Sequence, residues 1–371
     1  MIRRKVLHIV EDLGIGGLER VVESIALGLD KKKYEVQVWC LSRGGAIAEA
    51  LAKEGMMIKV LGMSSYHHPI QVLKLAKLLW LSKIDIVHTH GYFGGIFGRL
   101  AAIIARTPSI FAHVHTSYFG FKKRNIFVDK ILSYFTNKII SVSGATKEFV
   151  CNFEGINAQK VCVIYNGADP KKSPKKKKAM DRNTFGFSKE DFVIVTVASL
   201  VKNKGHRVII NAIQRVLKKN SSIKLLIVGD GPLKNELEDF VIDSRLGSHI
   251  RFAGLREDVF PLLNLADLFI LATIEREGLG VSIIEAMSAG LPVIGTSIGG
   301  IPELIENQIN GLLVAPGDPY ELAVAIERLA SDKDQRRNLA TQGKKKYEQK
   351  FTAVNMVKQI ELLYEELEKA V

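Results

Sequence analysis

Glu277-Gly278-Leu279-Gly280-Val281-Ser282-Ile283-Ile284-Glu285-Ala286-Met287 opens the stretch EGLGVSIIEAMSAGLPVIGT, residues 277–296. Just before it, residues 268–271 form a short apolar run of the kind that becomes a buried strand. From about Val281 an apolar stripe at helical spacing begins, and residues 292–296 read as the next strand. Strand, glycine-containing turn, helix, strand is the unit from which parallel sheets are built. Gly278 and Gly280 let the backbone come close to a ligand. The free amides at the start of the helix favour an anion. Glu277 stands before that helix and Glu285 about one turn inside it, although acidic residues in a first turn also serve simply to complement the helix dipole.

The same rhythm extends outward. In the first half, strands are expected at residues 6–10, 36–40, 58–60, 84–88, 110–113 and 138–142, with helical patterns at 21–29, 47–54 and 95–105 between them. In the second half, strands are expected at 192–197, 224–228, 250–252, 268–271 and 292–296. Such alternation gives parallel sheets with helices on both faces. It breaks at Pro170-Lys171-Lys172-Ser173-Pro174-Lys175-Lys176-Lys177-Lys178, where two prolines and six lysines cannot bury a face. Residues 1–168 and 188–350 are therefore expected to be two α/β domains, joined by a basic linker at 169–187 and followed by a helix at 351–371. With 371 residues the chain has the length for two cores.

Composition narrows the class. At 47% hydrophobic and 25% charged residues, this is an ordinary globular composition. Three cysteines, Cys40, Cys151 and Cys162, have neither metal-ligand spacing nor the number of a disulfide framework, so a reducing, cytoplasmic compartment is expected. The apolar run after Arg3-Arg4-Lys5 is stopped by Glu11-Asp12, too early for a signal peptide. No stretch has the length of a spanning helix. A net charge of +13 draws the protein toward anions: nucleic acid, anionic lipid or phosphorylated substrate.

The two glutamates, followed by Gly299-Gly300-Ile301-Pro302-Glu303 and Asn310-Gly311-Leu312-Leu313-Val314, resemble the glutamate-pair motif of the family 4 glycosyltransferases. The resemblance covers nearly the whole chain and is strongest in the second half. It implies the GT-B fold: two Rossmann-like domains facing across a cleft, with the C-terminal helix crossing back to pack on the N-terminal domain. The N-terminal domain would then be the acceptor side and the C-terminal domain the nucleotide-sugar side. Ligands of open parallel sheets bind beyond the carboxyl ends of the strands, which puts the site in that cleft.

The resemblance implies roles residue by residue. Glu277 contacts the donor sugar, Glu285 holds the ribose, and Gly278, Leu279 and Gly280 lie beside the donor. Lys204, in Ala198-Ser199-Leu200-Val201-Lys202-Asn203-Lys204-Gly205-His206, neutralises the diphosphate. Many members have an arginine where this chain has Ser199, and a serine cannot supply a guanidinium fork. Arg207 is a candidate substitute, and the helix end is another. Gly254 and Leu255 match the region that contacts the base. Gly229-Asp230-Gly231-Pro232-Leu233 is fully explained as a turn into a helix.

In the first half, Gly14-Ile15-Gly16-Gly17 follows the first strand. It falls short of a dinucleotide fingerprint, but Gly16 and Gly17 would approach donor phosphate and acceptor. His115 best matches a family histidine that points at the donor sugar, with His113 the alternative. His90 has a substrate-side reading and a structural one. His113 and His115 share a face if the strand persists that far, but nothing else nearby is seen to complete a metal-ligand set. The one Asp-x-Asp, Asp332-Lys333-Asp334, lies far from any such loop. The expectation is therefore no bound metal and no obligatory cofactor, with a UDP- or GDP-sugar as donor substrate.

Tyr118-Phe119-Gly120-Phe121-Lys122-Lys123-Arg124 mixes aromatics with cations, and Tyr118 is an acceptor-side candidate. With the helical pattern at 72–81, which carries Lys74, Lys77 and Trp80, this region suits an anionic membrane surface. It equally suits a core-packed helix with a solvated basic side. The expected function is retaining transfer of a hexose-type sugar to a glycan or lipid-linked acceptor in cell-surface polysaccharide synthesis, by a protein attached peripherally to the inner face of the plasma membrane. The alternatives are an epimerase of the same fold and a basic nucleic-acid-binding protein. The latter lacks an aromatic-basic strand platform or recognition helix, so no nucleic-acid partner is expected.

Overall fold

The computed structural model describes residues 3–63, 69–117, 123–169 and 180–368. They form two compact units, Met1–Gly167 with Ala353–Val371, and Ala168–Thr352.

The first unit contains strands β1 (Arg4–Asp12), β2 (Tyr34–Arg43), β3 (Met57–Val60), β4 (Ile86–His90), β5 (Ser109–Val114), β6 (Lys138–Ser141) and β7 (Val161–Val163). Its helices are α1 (Gly17–Gly28), α2 (Ala46–Lys53), α3 (Pro69–Ser82), α4 (Gly91–Ile104), α5 (Lys123–Phe135) and α6 (Gly144–Glu148). The sheet is parallel throughout, in the order β3-β2-β1-β4-β5-β6-β7. Alternation along β1 sends Leu7 and Ile9 to one face, where α3, α4 and Leu132 of α5 complete a common core. Val10 faces the other way, into a core with Val22 of α1 and Ile47 and Leu51 of α2.

The second unit contains β8 (Phe192–Val197), β9 (Ile223–Val228), β10 (Ile250–Gly254), β11 (Leu268–Leu271), β12 (Val293–Thr296) and β13 (Leu312–Val314). Its helices are α7 (His206–Val216), α8 (Lys234–Asp243), α9 (Val259–Leu263), α10 (Val281–Ser288), α11 (Ile301–Leu304), α12 (Pro319–Ser331) and α13 (Lys333–Lys350). This sheet is also parallel, in the order β10-β9-β8-β11-β12-β13. Ile209, Ile210, Ile213 and Val216 make one buried stripe on α7 and pack with the aliphatic faces of β8, β9 and α12. Asp332, the first acid of the Asp-x-Asp, caps α13 by accepting from the Gln335 amide at 2.8 Å.

The last helix, α14 (Ala353–Glu368), belongs to the first unit, where it lies along α1. Its Glu361 accepts from the Asp30 amide at 2.7 Å, and its Tyr364 hydroxyl is 2.6 Å from Nδ1 of His88. One boundary needs correction. Residues 170–179 of the expected linker lie outside the described residues, but residues 180–187 are part of the second unit rather than linker. Asp181 caps a short 3-10 turn, the Arg182 guanidinium bonds Asp267 and the carbonyls of Asp191 and Leu265, and Phe187 is buried. A guanidinium with all three nitrogens hydrogen-bonded anchors this segment to the residues that lead into β8 and β11.

Candidate active site

In the second sheet the chain passes from β8 to β9 on one side and resumes on the other side of β8 with β11. Beyond the carboxyl ends of β8 and β11 the following loops diverge, which leaves the crevice where open parallel sheets take ligands. The loop after β8 is folded by its neighbours. Leu200 donates to Asp230 O at 2.9 Å and accepts from the Leu233 amide at 3.0 Å, so the turn after β9 clamps it. Buried His206 is hydrogen-bonded through Nε2 to Ser199 O at 3.0 Å, and burial depresses its basicity. Gly205 has φ +66°, and a Cβ there would run into the Ala272 carbonyl beyond β11. The two loops therefore touch backbone to backbone, and Ile274 donates to Asn203 O at 2.8 Å.

This contact brings together two residues 73 positions apart. Lys204 Nζ lies 2.6 Å from Glu277 Oε2, and the Thr273 hydroxyl donates to the same oxygen at 2.8 Å. Glu277 is nearly buried and Lys204 only partly so. Charge-assisted bonds in such a setting are strong and geometrically specific. The Gly299-Gly300 pair explains itself here: Gly300 donates to Glu277 O at 3.1 Å, and any side chain at Gly299 (φ +56°) would strike that carbonyl. Arg276, just before Glu277, is held at φ +29°, a strained setting for a branched-off side chain of that size.

The other donor-side residues surround this pair in sequence and topology. Gly278, Leu279 and Gly280 are buried, with Gly280 at φ +92° as the N-cap of α10. Glu285 lies in the second turn of that helix and is half-buried. Gly254 ends β10 at φ +68°, its carbonyl accepts from Gly229 at 2.9 Å, and Leu255 beside it is exposed. Ser199 is exposed. Arg207, the candidate substitute for the missing cation, has its guanidinium 3.2 Å from Glu236 and over the Phe240 ring.

The first unit has an equivalent divergence between β1 and β4. Gly16 caps α1 and Gly17 begins it. A side chain at Gly16 would collide with the Glu19 carboxylate, which folds back over the helix start and is made harder to ionise chiefly by burial. Beside this loop lies an array no single stretch of sequence revealed. His8 pairs with His88 in register across β1 and β4, and His90 with His113 across β4 and β5. His115 follows one residue beyond β5. The imidazoles of His8 and His90 are hydrogen-bonded at 2.9 Å, and those of His90 and His115 at 3.2 Å. His88 stacks on His90 and on His113, and His113 on His115, with ring centroids 4.3–5.3 Å apart. Burial pushes His8 and His115 down to about 3 and lowers His88, His90 and His113 well below the ordinary histidine range.

The expectation that nothing completes a ligand set around these histidines is therefore corrected. One ring nitrogen from each of His8, His88 and His90 lie within 4.8 Å of one another, as do those of His90, His113 and His115. Nitrogens about 3 Å apart suit both a metal site and a chain of neutral N–H···N bonds, and the bonds between His8, His90 and His115 already realise the second. Tyr118 lies outside the described residues.

Two parallel α/β units, each with a switch point in its strand order, and a lysine–glutamate pair at the second of them are the features set beside known proteins. Residues 15–172 match the model for Glycosyltransferase Family 4, and residues 191–332 the model for Glycosyl transferases group 1. The chain is 32% identical to the UDP-Gal:alpha-D-GlcNAc-diphosphoundecaprenol alpha-1,3-galactosyltransferase of Escherichia coli, over 71% of this chain and 70% of that one. It is 25% identical to the capsular polysaccharide biosynthesis glycosyltransferase CapM of Staphylococcus aureus, over 79% and 80% of the two chains. Its fold superimposes on Anabaena HepE, solved with UDP and glucose, with a TM-score of 0.87, 24% identity and coverage of 98% and 100%. The chain belongs to the family 4 glycosyltransferases and is a glycosyltransferase enzyme of GT-B fold.

Proposed function

We propose that the protein transfers a hexose-type sugar from a UDP- or GDP-sugar to a glycan or lipid-linked acceptor, with retention of anomeric configuration, in cell-surface polysaccharide synthesis. The Lys204–Glu277 pair beyond β8 and β11 carries this reading. In the free protein each side chain neutralises the other. A bound donor offers both a better partner: the diphosphate takes the Lys204 ammonium, and the sugar hydroxyls take the Glu277 carboxylate. Glu285 accepts from the ribose hydroxyls, the amides at the start of α10 face the diphosphate, and Gly254 and Leu255 lie along the base. In this reading His115 serves as a hydrogen-bond donor to the sugar's primary hydroxyl, Gly16 and Gly17 as backbone contacts for phosphate and acceptor, and His90 and Tyr118 as acceptor-side residues. The acceptor attacks from the face the diphosphate leaves, through an oxocarbenium-like state, and a departing phosphate oxygen takes its proton. Because Lys204 and the helix end bear the leaving charge, no metal is obligatory.

The relatives' substrates favour the same class, since the E. coli enzyme acts on a diphosphoundecaprenol-linked sugar and CapM in capsular polysaccharide synthesis. The deciding experiment screens UDP- and GDP-sugars by thermal shift and then measures transfer, with and without EDTA. A UDP- or GDP-sugar should stabilise the wild type. Lys204→Met and Glu277→Gln should each lower turnover about 10²-fold or more while remaining folded. Near-normal turnover in both variants would overturn the site. Loss of turnover in EDTA would overturn the metal-free route, and a product anomer opposite to the donor's would overturn retention.

A further inference from the structure

Three neighbouring helices of the first unit, α3, α4 and α5, present an outer surface rich in exposed apolar side chains. All three pack on one face of the sheet through a common core, with α4 between the other two. A helix in that position needs one apolar stripe, and α3 has it in Val72, Leu75, Ala76 and Leu79. It then carries a second stripe on the opposite side: Ile70, Leu73, Trp80 and Leu81 are exposed, Trp80 at 68%. On α5, Phe127, Ile131, Tyr134 and Phe135 follow one another at helical spacing, with Phe127 63% and Phe135 59% exposed. Leu100 and Ile104 of α4, the helix that packs against both, are also exposed. Among the described residues, half of all exposed large hydrophobics stand on these three helices. Single exposed apolar side chains are ordinary, but a contiguous field of them marks a docking surface.

The charges on these helices identify what docks. α3 and α4 contain no acidic residue, and the one acid of α5, Asp129, is held by the buried Arg99 guanidinium. Lys74, Lys77, Lys123, Arg124 and Lys130 are exposed among the aromatic and aliphatic side chains, and Lys83 and Arg106 stand just past the ends of α3 and α4. Apolar side chains interleaved with cations, and no anions, complement a bilayer interface: the first enter the headgroup–acyl boundary while the second meet lipid phosphates. Trp and Tyr are the side chains that settle at that depth. No described helix is long and apolar enough to cross a membrane, so the contact lies in the plane of the surface.

We infer that the outer face of α3, α4 and α5 is a monotopic docking surface for an anionic lipid bilayer. This inference stands on the surface alone and does not depend on the donor or reaction proposed above. Its test is co-sedimentation with vesicles of phosphatidylcholine alone and of phosphatidylcholine with 30% phosphatidylglycerol, at low and high salt. The wild type should bind the anionic vesicles, and binding should weaken severalfold in high salt. The double variants Phe127→Ser/Phe135→Ser and Lys74→Gln/Lys77→Gln should each bind at least tenfold less. Both should keep the wild-type far-ultraviolet circular dichroism and thermal midpoint, because the replaced side chains are exposed. Equal vesicle binding by wild type and variants would overturn the assignment. So would absent vesicle binding together with self-association that the Phe127→Ser/Phe135→Ser change abolishes, which would make the face a contact between copies of the chain.

Discussion

At the scale of single residues, Glu277 Oε2 receives two donors, the Lys204 ammonium and the Thr273 hydroxyl. When a donor substrate takes the lysine, the threonine is the group that still fixes the carboxylate. Thr273→Val should therefore lower kcat/KM about tenfold, the loss expected for one hydrogen bond to a charged group, without lowering the thermal midpoint by more than a few degrees. Thr273→Ser should restore most of the activity, which a packing defect would not allow. Glu277 and Glu285 could be singled out as candidates because one contiguous stretch carries both, and Lys204 because it stands in the loop that follows a recognisable strand. Thr273 and His206 could not. Their roles depend on how two loops from different strands meet, and each residue alone looks like an ordinary strand-end or helix-start side chain. The pairing of Arg207 with Glu236 was equally out of reach, since Glu236 sits on a different helix.

At the scale of elements, the β-α rhythm located the long strands to within three residues at either end, and missed β7 and β13. These have three residues each and lie at sheet edges, where too little chain is buried to leave a periodic trace. The loop packing around the site is less forgiving than the strands. Gly205 combines φ +66° with a backbone oxygen in the place a side chain would take. Gly205→Ala is expected to destabilise the second unit by about 3 kcal/mol or more in denaturant unfolding. Gly247→Ala, at a position with open space around it, should change stability by less than about 0.5 kcal/mol. The histidine array belongs to this scale too. Alternation showed that His113 and His115 share a face, but only the strand order brings His8, His88 and His90 beside them.

At the scale of the molecule, burying five imidazoles side by side has a consequence for acid stability. A histidine whose folded pKa lies below its unfolded value binds a proton more readily when unfolded. Its contribution is intact above about 6.5 and is lost as pH falls toward the folded value, about 3 for His8. Between pH 6.5 and 5 the buried Glu154 of the same unit, its carboxyl pushed up to about 8 by burial, works in the opposite direction, so the histidine contribution is read from the difference between wild type and a histidine variant. His8 alone should subtract about 2 kcal/mol by pH 5. Unfolding of the first unit measured across that window should steepen toward acid, and His8→Phe should flatten the profile. Identical profiles for wild type and His8→Phe from pH 7 to 5 would refute the burial of a neutral His8.

The assignment of α14 to the first unit also fixes an order of events during synthesis. Residues 168–352 form a continuous stretch that has all its own strands once it has left the ribosome. The first unit, although translated earlier, lacks the helix that lies along α1 and brings Tyr364 to His88 until residues beyond 353 emerge. The half of the protein made first is thus the half completed last. In the interval His88 lacks the Tyr364 hydroxyl it bonds in the finished fold, and a premature stop before Ala353 would leave it without that partner for good.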